Sequence, residues 1–179
     1  NENLFLYSQD FTQSFWTKTT STVTSSATTA PDGTSTGTKF IPNNGASSNA
    51  YLSQQLTITS GNYYCISFYA KPAGFRYMEV NGDAISGRIP VTAYFDLQNG
   101  VVTQLSGGTA SIQSVGNGWF RCVAIGLSSS TVTQPFIRCS ANGTTAATGD
   151  GTSGVYIWGA QLQNGTQVSV YNPTTSAAV

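Results

Sequence analysis

The stretch NYYCISFYAK, residues 62–71, decides the fold class. Its side chains alternate with a period of two, which is typical of a β-strand. The two faces of that strand both carry rings: Tyr64, Ile66, Phe68 and Ala70 on one, and Tyr63, Cys65, Ser67 and Tyr69 on the other. Such a strand is predicted either to lie at the centre of a sheet and be covered twice, or to expose a surface lined with rings.

Similar runs recur at short intervals, separated by Gly, Asn, Ser and Pro, and no helical periodicity is sustained beyond two turns. They are FRYMEV (75–80), IPVTAYFDL (89–97), VVTQL (101–105), GWFRCVAIGL (118–127), PFIRCSA (135–141) and GVYIWGAQL (154–162). We predict an all-β chain, a two-sheet antiparallel β-sandwich of the jelly-roll type, with residues 1–179 forming a single domain.

Two local signals refine this prediction. Asn99-Gly100 tolerates the positive φ angles of a type I′ turn and predicts a hairpin between the runs at 89–97 and 101–105. The Thr-rich stretch 17–41 contains a Pro-Asp-Gly turn and predicts two short strands rather than a disordered linker.

Composition excludes several classes of function. Only 8% of the 179 residues are charged, and seven basic residues balance seven acidic ones. Lys and Arg are scattered singly, so no nucleic-acid partner is expected. No apolar run approaches the roughly 20 residues that span a bilayer, so no membrane insertion is expected. The chain does not begin with Met or a signal peptide, which suggests a processed product or an excised domain.

The three cysteines, Cys65, Cys122 and Cys139, each lie in an apolar run. We expect buried free thiols, and one disulfide is the main alternative. The chain has no His and no C-x-x-C spacing, which disfavours a structural zinc site.

An ordered series of motifs covers nearly the whole chain: NLFLYSQDFTQSFWTK, APDGTSTGTKF, YYCISFYAKPAGFRYMEV, YFDLQNGVV, GWFRCVAIGL and GDGTSGVYIWGAQLQNGTQVSVYNPTTSAAV. The series resembles a jelly-roll module of tailed-phage structural proteins, which is similar to the β-sandwich carbohydrate-binding modules of polysaccharide-degrading enzymes. The resemblance implies a virion-surface, extracellular location and carbohydrate recognition. Its partners would be a host-surface glycan and other virion proteins, with repeated copies, such as a homotrimer, supplying avidity.

The residues themselves disfavour catalysis. Without His there is no usual nucleophilic triad. Glycoside hydrolysis needs two carboxylates facing one cleft, and Glu79 with Asp96 is the only pair worth testing. Their more ordinary interpretation is that each faces solvent. We therefore expect a non-catalytic protein, with a polysaccharide-degrading enzyme as the lesser alternative.

Sugar binding needs ring faces and planar hydrogen-bonding groups. The candidate ligand-binding residues are Trp119, Arg121, Arg138, Arg76, Glu79 and Tyr94. Arg121 and Arg138 each alternate with a Cys, so if their strands are adjacent they mark one exposed face opposite buried thiols. The alternative is that each Arg pairs with a nearby carboxylate such as Glu79 and only makes the sheet soluble.

Two tryptophans receive different interpretations. Trp158 shares its predicted face with Tyr156, Ala160 and Leu162, which favours a core position over a binding surface. Trp119 shares its face with Arg121 and is the better candidate for a stacking platform.

No cofactor is required by these expectations, but modules of the resembled type often carry one structural calcium ion. Asp150, in the glycine-rich TGDGTSG turn, is the candidate ligand, with Glu2 or Asp10 as a second carboxylate. The alternative for Asp150 is an ordinary Asx turn. The rival function for the whole chain is a structural or decoration module that binds other virion proteins and no glycan.

Overall fold

A computed structural model describes residues 2–179, and its regular secondary structure consists of fourteen β-strands. The strands are β1 Thr17–Thr19, β2 Ser21–Thr28, β3 Gly37–Pro42, β4 Tyr51–Ser53, β5 Leu56–Thr57, β6 Tyr63–Ala73, β7 Tyr77–Asn81, β8 Thr92–Asp96, β9 Val101–Ser106, β10 Thr109–Gly116, β11 Trp119–Leu127, β12 Val132–Thr133, β13 Phe136–Ser140 and β14 Gly154–Asn164. Within these residues no helix is long and apolar enough to cross a membrane.

The strands form two six-stranded antiparallel sheets and one two-stranded ribbon. Sheet A has the order β1-β4-β13-β7-β8-β9, sheet B the order β10-β11-β6-β14-β3-β2, and the ribbon pairs β12 with β5. The predicted all-β, two-sheet antiparallel sandwich is confirmed. Each of the seven predicted runs contains a strand: β6, β7, β8, β9, β11, β13 and β14. The Thr-rich stretch 17–41 forms three strands rather than two, because β1 and β2 are separated by Thr20, which has a φ of 47°.

The core lies between the two sheets and takes one side chain in two from each central strand. Its largest members are aromatic or aliphatic: Phe5, Phe11, Trp16, Phe40, Leu52, Ile66, Phe68, Met78, Ile89, Phe95 and Leu97. The N-terminal segment before β1 contributes three of these rings, so this irregular segment is part of the core.

All three cysteines are buried free thiols, as predicted. Cys122 and Cys139 lie in the core, whereas Cys65 lies on the outer face of β6, and its Sγ contacts the Gly165 carbonyl at 3.2 Å. Burial raises the pKa of Cys65 to about 11 and raises that of Cys122 and Cys139 further. None of the three is a reactive thiolate at neutral pH.

The β8–β9 hairpin forms as predicted, but its turn type is not the predicted one. Gly100 has a φ of 67°, while Asn99 is not in the left-handed region that a type I′ turn requires. Asp96 explains the difference, because its Oδ1 accepts hydrogen bonds from the Gln98 and Asn99 amides at 2.9 and 3.2 Å. This carboxylate stabilises a longer loop over residues 97–100.

The alternation of side chains along strand β14 shifts at Gly159. The register with β6 shifts between Trp158 and Gln161, and Gly159 has a φ of 62°. This bulge reverses the alternation, so Trp158 points outward while Ala160 and Leu162 lie in the core. The prediction that Trp158 shares a face with Ala160 and Leu162 is wrong.

Trp158 and Trp119 are both buried on the outer side of sheet B, at 4% and 1% exposure. We call this group the outer cluster: Ala30, Trp119 and Trp158, with Tyr69, Tyr156 and Tyr171 packed against them. Each indole N–H donates a hydrogen bond, Trp158 to Thr36 Oγ1 at 2.9 Å and Trp119 to the Thr29 carbonyl at 3.0 Å. The prediction of Trp119 as an exposed stacking platform is therefore wrong, and β6 is covered on both faces.

The substitution Gly159→Ala should destabilise the fold. A Cβ there would lie 2.8 Å from Cδ2 of Tyr69. The left-handed backbone costs about 1–2 kcal/mol, and the contact adds about 1–3 kcal/mol. Urea denaturation measures the loss. Gly33→Ala is the matched control, because Gly33 has a φ of 85° and a Cβ added to it would meet no atom within 4 Å. Equal losses for the two variants would contradict the packing role of Gly159.

Candidate functional site

The outer face of sheet A carries most of the polar and aromatic groups that suit a ligand. Strand β7 contributes Glu79 and Asn81, and β8 contributes Tyr94 and Asp96, because their neighbours Met78, Val80, Ala93 and Phe95 point into the core. We call this surface the polar face. Its members are Tyr51, Tyr77, Glu79, Asn81, Thr92, Tyr94, Asp96, Gln104, Phe136 and Arg138, with Arg76 at its margin.

One row of the polar face crosses four strands. Arg138 is opposite Glu79, Glu79 is opposite Tyr94, and Tyr94 is opposite Gln104. Neighbouring strands are about 4.8 Å apart, so the row extends over about 14 Å. The row holds a guanidinium, a carboxylate, a phenol and an amide in succession, groups of the kind that bind vicinal hydroxyls. Glu79 and Tyr94 are buried, at 1% and 7% exposure, so Arg138 and Gln104 are the members that solvent reaches.

Glu79 and Arg138 form the central ion pair of this row. Arg138 donates from Nε and Nη2 to Oε1 of Glu79 at 3.0 and 2.7 Å, and from Nη1 to the Ser48 carbonyl at 2.6 Å. Asn81 donates to Oε2 of Glu79 at 3.0 Å. The Glu79 side chain is 1% exposed and that of Arg138 is 18% exposed. The carboxylate is therefore held from both sides, and the arginine retains a solvent-facing edge.

Asp96 and Arg76 form a second, bidentate pair on the polar face. Nε and Nη2 of Arg76 lie 2.8 and 2.7 Å from the two carboxylate oxygens of Asp96. The hydrogen bonds from Arg76 lower the pKa of Asp96 to about 2. The side chain of Arg76 is 39% exposed, so part of this pair is open to solvent.

A third pair, Asp83 with Arg88 at 2.8 Å, lies in the loop that joins β7 to β8. Burial opposes the charge of Asp83, but hydrogen bonds from Arg88 and from backbone amides outweigh it and lower its pKa to about 2. All three ion pairs found among residues 2–179 thus lie in sheet A or beside it. The ion pairs are therefore concentrated on one side of the sandwich.

Rings accompany these pairs. The guanidinium of Arg138 lies over the ring of Phe136 at 5.2 Å, and that of Arg76 lies over Tyr77 at 5.1 Å. Tyr51 packs on Phe136 with ring centroids 5.2 Å apart. Burial and the adjacent Glu79 carboxylate raise the pKa of Tyr94, which keeps the phenol protonated.

The polar face brings together four of the six residues that the sequence nominated: Arg76, Glu79, Tyr94 and Arg138. The other two, Trp119 and Arg121, lie on the opposite sheet. Strands β11 and β13 are not adjacent, so Arg121 and Arg138 do not mark one face, although each does point away from a core cysteine. For Arg138 the alternative interpretation, pairing with Glu79, is the one that the structure shows.

Arg121 is held within the protein beneath the C-terminal segment. Its Nη1 donates to the Ser169 carbonyl at 2.6 Å, its Nη2 donates to Ser67 at 3.2 Å, and the guanidinium lies 5.2 Å from the Tyr69 ring. Its contacts join strand β6 to residues after β14. Arg121 is accordingly an anchor for that segment.

Five further residues of the polar face were not nominated from the sequence: Tyr51, Asn81, Thr92, Gln104 and Phe136. The two-residue period places Asn81 on the face of Glu79 and Phe136 on the face of Arg138, so these two positions could be predicted from the sequence. Gln104 and Tyr51 join the face only through strand pairing.

The acidic residues that the sequence suggested for catalysis or calcium binding form contacts within the protein. The predicted solvent-facing positions of Glu79 and Asp96 are wrong, since they are 1% and 3% exposed. Asp150 forms an Asx turn, with Oδ1 accepting from the Thr152 and Ser153 amides at 2.9 and 2.6 Å. No cluster of three or more His, Cys, Asp or Glu that could hold a metal occurs within residues 2–179. The calcium site stays a prediction.

No protein-family model and no curated protein matches this chain. Solved structures match its fold. The bacteriophage CBA120 tailspike protein 4 enzymatically active domain has a TM-score of 0.52 over 90% of this chain at 13% identity, and the chain spans 21% of that protein. TmCBM61, solved in complex with β-1,4-galactotriose, has a TM-score of 0.51 over 90% of this chain and 99% of its own, also at 13% identity. The chain therefore shares a jelly-roll fold with a tailspike domain and a carbohydrate-binding module.

Replacing Arg76 should release the Asp96 carboxyl group. In Arg76→Gln the pKa of Asp96 should rise from about 2 toward its ordinary value, because its main charged partner is gone. Carboxyl-carbon NMR titration measures the change. The stability that the Arg76–Asp96 pair gives to the folded protein is fully present above the ordinary pKa of Asp, and it is lost as the pH falls toward 2. Arg88→Gln is the control and should leave Asp96 unchanged; an unshifted Asp96 in Arg76→Gln would contradict the pairing.

Proposed function

We propose that this protein is a non-catalytic glycan-binding domain and that its polar face is the binding surface. The observation that carries the proposal is the concentration of paired Arg and carboxylate groups with aromatic rings on the polar face. Rings supply flat apolar contact to the C–H side of a sugar, and fixed planar groups exchange hydrogen bonds with its hydroxyls.

The balance of charge favours a neutral glycan. Two arginines, Arg76 and Arg138, are matched by Asp96 and Glu79 on the polar face. Because each cation is neutralised in place, the surface has no excess charge to attract an anionic polymer. The pairs also fix their own geometry, so fewer side chains must be ordered when the ligand binds.

The same pairing supports a non-catalytic role. A glycosidase needs one carboxyl group whose pKa is raised so that it donates a proton near neutral pH. The pKa of Asp96 moves the other way, to about 2, because of Arg76. Asp96 would therefore be a poor general acid.

The setting that we propose is the surface of a phage virion, where host glycans and other virion proteins are the partners. The fold shared with a bacteriophage tailspike domain and with a galactotriose-bound module supports this setting. A shallow face gives weak single-site binding, so repeated copies, such as a homotrimer, would supply avidity.

A glycan array probed with a multimerised form of the chain tests the proposal. Binding to at least one neutral bacterial surface glycan is expected. Gln104→Ala should weaken it by about fivefold or more, equivalent to about 1 kcal/mol for one lost hydrogen bond. Gln113→Ala is the matched control, because Gln113 is also exposed, on the edge strand β10 of sheet B.

Two outcomes would overturn the proposal. Absence of binding to every glycan on the array would favour a structural module that contacts only virion proteins. Release of reducing ends from a bound polysaccharide, lost in Glu79→Gln, would show an enzyme instead.

A further inference from the structure

One cavity of the described chain lies away from the polar face, between the N-terminal segment, the β2–β3 hairpin and the C-terminal segment. Its volume is about 720 Å³. The walls are the N-terminal segment around Tyr7 and Asp10, the outer strands of sheet B at Ser25 and Thr36, and the C-terminal segment at Thr175. Cavities of this size hold small molecules.

The lining of the cavity is rich in Ser and Thr and includes one carboxylate. Seven of its twelve lining residues are Ser or Thr, no Lys or Arg lines it, and Asp10 is its only charged side chain. Tyr7 adds a ring, which packs against Phe15 at a centroid distance of 5.5 Å. Such a lining, with a carboxylate and no Lys or Arg among its residues, suits a neutral polyhydroxylated ligand better than an anion.

Asp10 is positioned to accept a hydrogen bond from such a ligand. Its Oδ1 accepts from the amide and the hydroxyl of Thr12 at 3.1 and 2.5 Å, while Oδ2 accepts only from Gln13, at 2.8 Å. A carboxylate oxygen can accept two hydrogen bonds, so Oδ2 keeps one acceptor position. The three internal bonds fix the orientation of the carboxylate.

Backbone irregularities shape the cavity. Four residues other than Gly have a positive φ in the described chain, and two of them, Tyr7 at 49° and Ser26 at 51°, line this cavity. Ser25 and Ser26 also lie in the bulge where the β2–β3 register shifts between Thr24 and Thr28. A bulge redirects side chains, and strained backbone is often retained at binding sites.

The walls are held by hydrogen bonds and are therefore formed before a ligand arrives. The Tyr7 amide donates to the Thr175 carbonyl at 2.8 Å, and the Thr174 amide donates to Ser8 Oγ at 2.8 Å. Thr36 is fixed by accepting the indole N–H of Trp158 at 2.9 Å. The outer cluster thus supports one wall of the cavity.

We propose that this cavity is a second binding site, which takes a small neutral sugar and is independent of the polar face. Tyr7 would contact the apolar side of the ring, and Asp10 with the Ser25 and Ser26 hydroxyls would bind its hydroxyl groups. The cavity is bounded by three segments of the chain, whereas the polar face is an open row that suits an extended glycan.

NMR titration of the ¹⁵N-labelled chain with glucose, galactose, mannose, N-acetylglucosamine and rhamnose tests the proposal. At least one of these sugars should give saturable shifts at the amides of Ser25, Ser26 and Thr36. Ser25→Trp should fill the cavity and weaken binding by at least about tenfold, equivalent to about 1.4 kcal/mol. Ser111→Trp is the matched control, because Ser111 is exposed on β10; it should leave the affinity unchanged.

A second variant guards against misfolding. Asp10→Asn keeps the shape of the side chain and removes its charge. It should also weaken binding, while the amide spectrum remains that of the folded protein. Shifts confined to Glu79, Tyr94 and Gln104 would support the polar face and overturn the cavity site. Shifts confined to the cavity would support this site alone. No saturable response to any of the five sugars, or full affinity in Ser25→Trp, would overturn it.

Discussion

The pairing of β6 with β14 is the constraint on which the rest of the structure depends. Both strands lie at the centre of sheet B, and both carry rings on the side that faces away from the core. Leaving Trp158 and Tyr69 in water would forfeit the free energy of burying two large rings, about 1.5–3 kcal/mol for each. The chain covers them with Tyr171 and the neighbouring C-terminal residues, with ring centroids 4.8 and 5.9 Å apart. The outer side of sheet B is consequently structural.

Because the C-terminal residues cover the outer side of sheet B, the two sheets have different roles. Arg121 is used to hold the C-terminal segment, whereas Arg76 and Arg138 remain partly exposed on sheet A. The Arg138–Glu79 pair contributes little net stability, because the cost of desolvating two charges offsets most of their attraction. Its main consequence is geometric, since three donors fix the Glu79 carboxylate and three hydrogen bonds fix the guanidinium. A net-neutral, pre-ordered surface of this kind suits hydroxyl groups better than ions.

The bulge at Gly159 connects the fold with the cavity. Because it turns Trp158 outward, the indole N–H reaches Thr36, which forms part of the cavity wall. The same bulge returns Leu162 to the core, so a single glycine in the left-handed region serves both sides of sheet B. The polar face and the cavity share no lining residue, so each can be altered without rebuilding the other.

The sequence alone determined the layered all-β fold, the seven runs that contain strands and the buried thiols, because a two-residue period and a low content of charged residues are local properties. It also nominated Arg138, Glu79, Tyr94 and Arg76; strand pairing brings the first three onto one face, and Arg76 lies at its margin, just before β7. Tertiary structure decided the rest. The two-residue pattern of the sequence does not reveal the bulge that places Trp158 and Leu162 on opposite faces. It also does not show which distant segment covers Trp119 and Arg121. The face of a residue is set by its own strand, but its exposure is set by whatever chain packs against that face, and only the folded structure brings the two together.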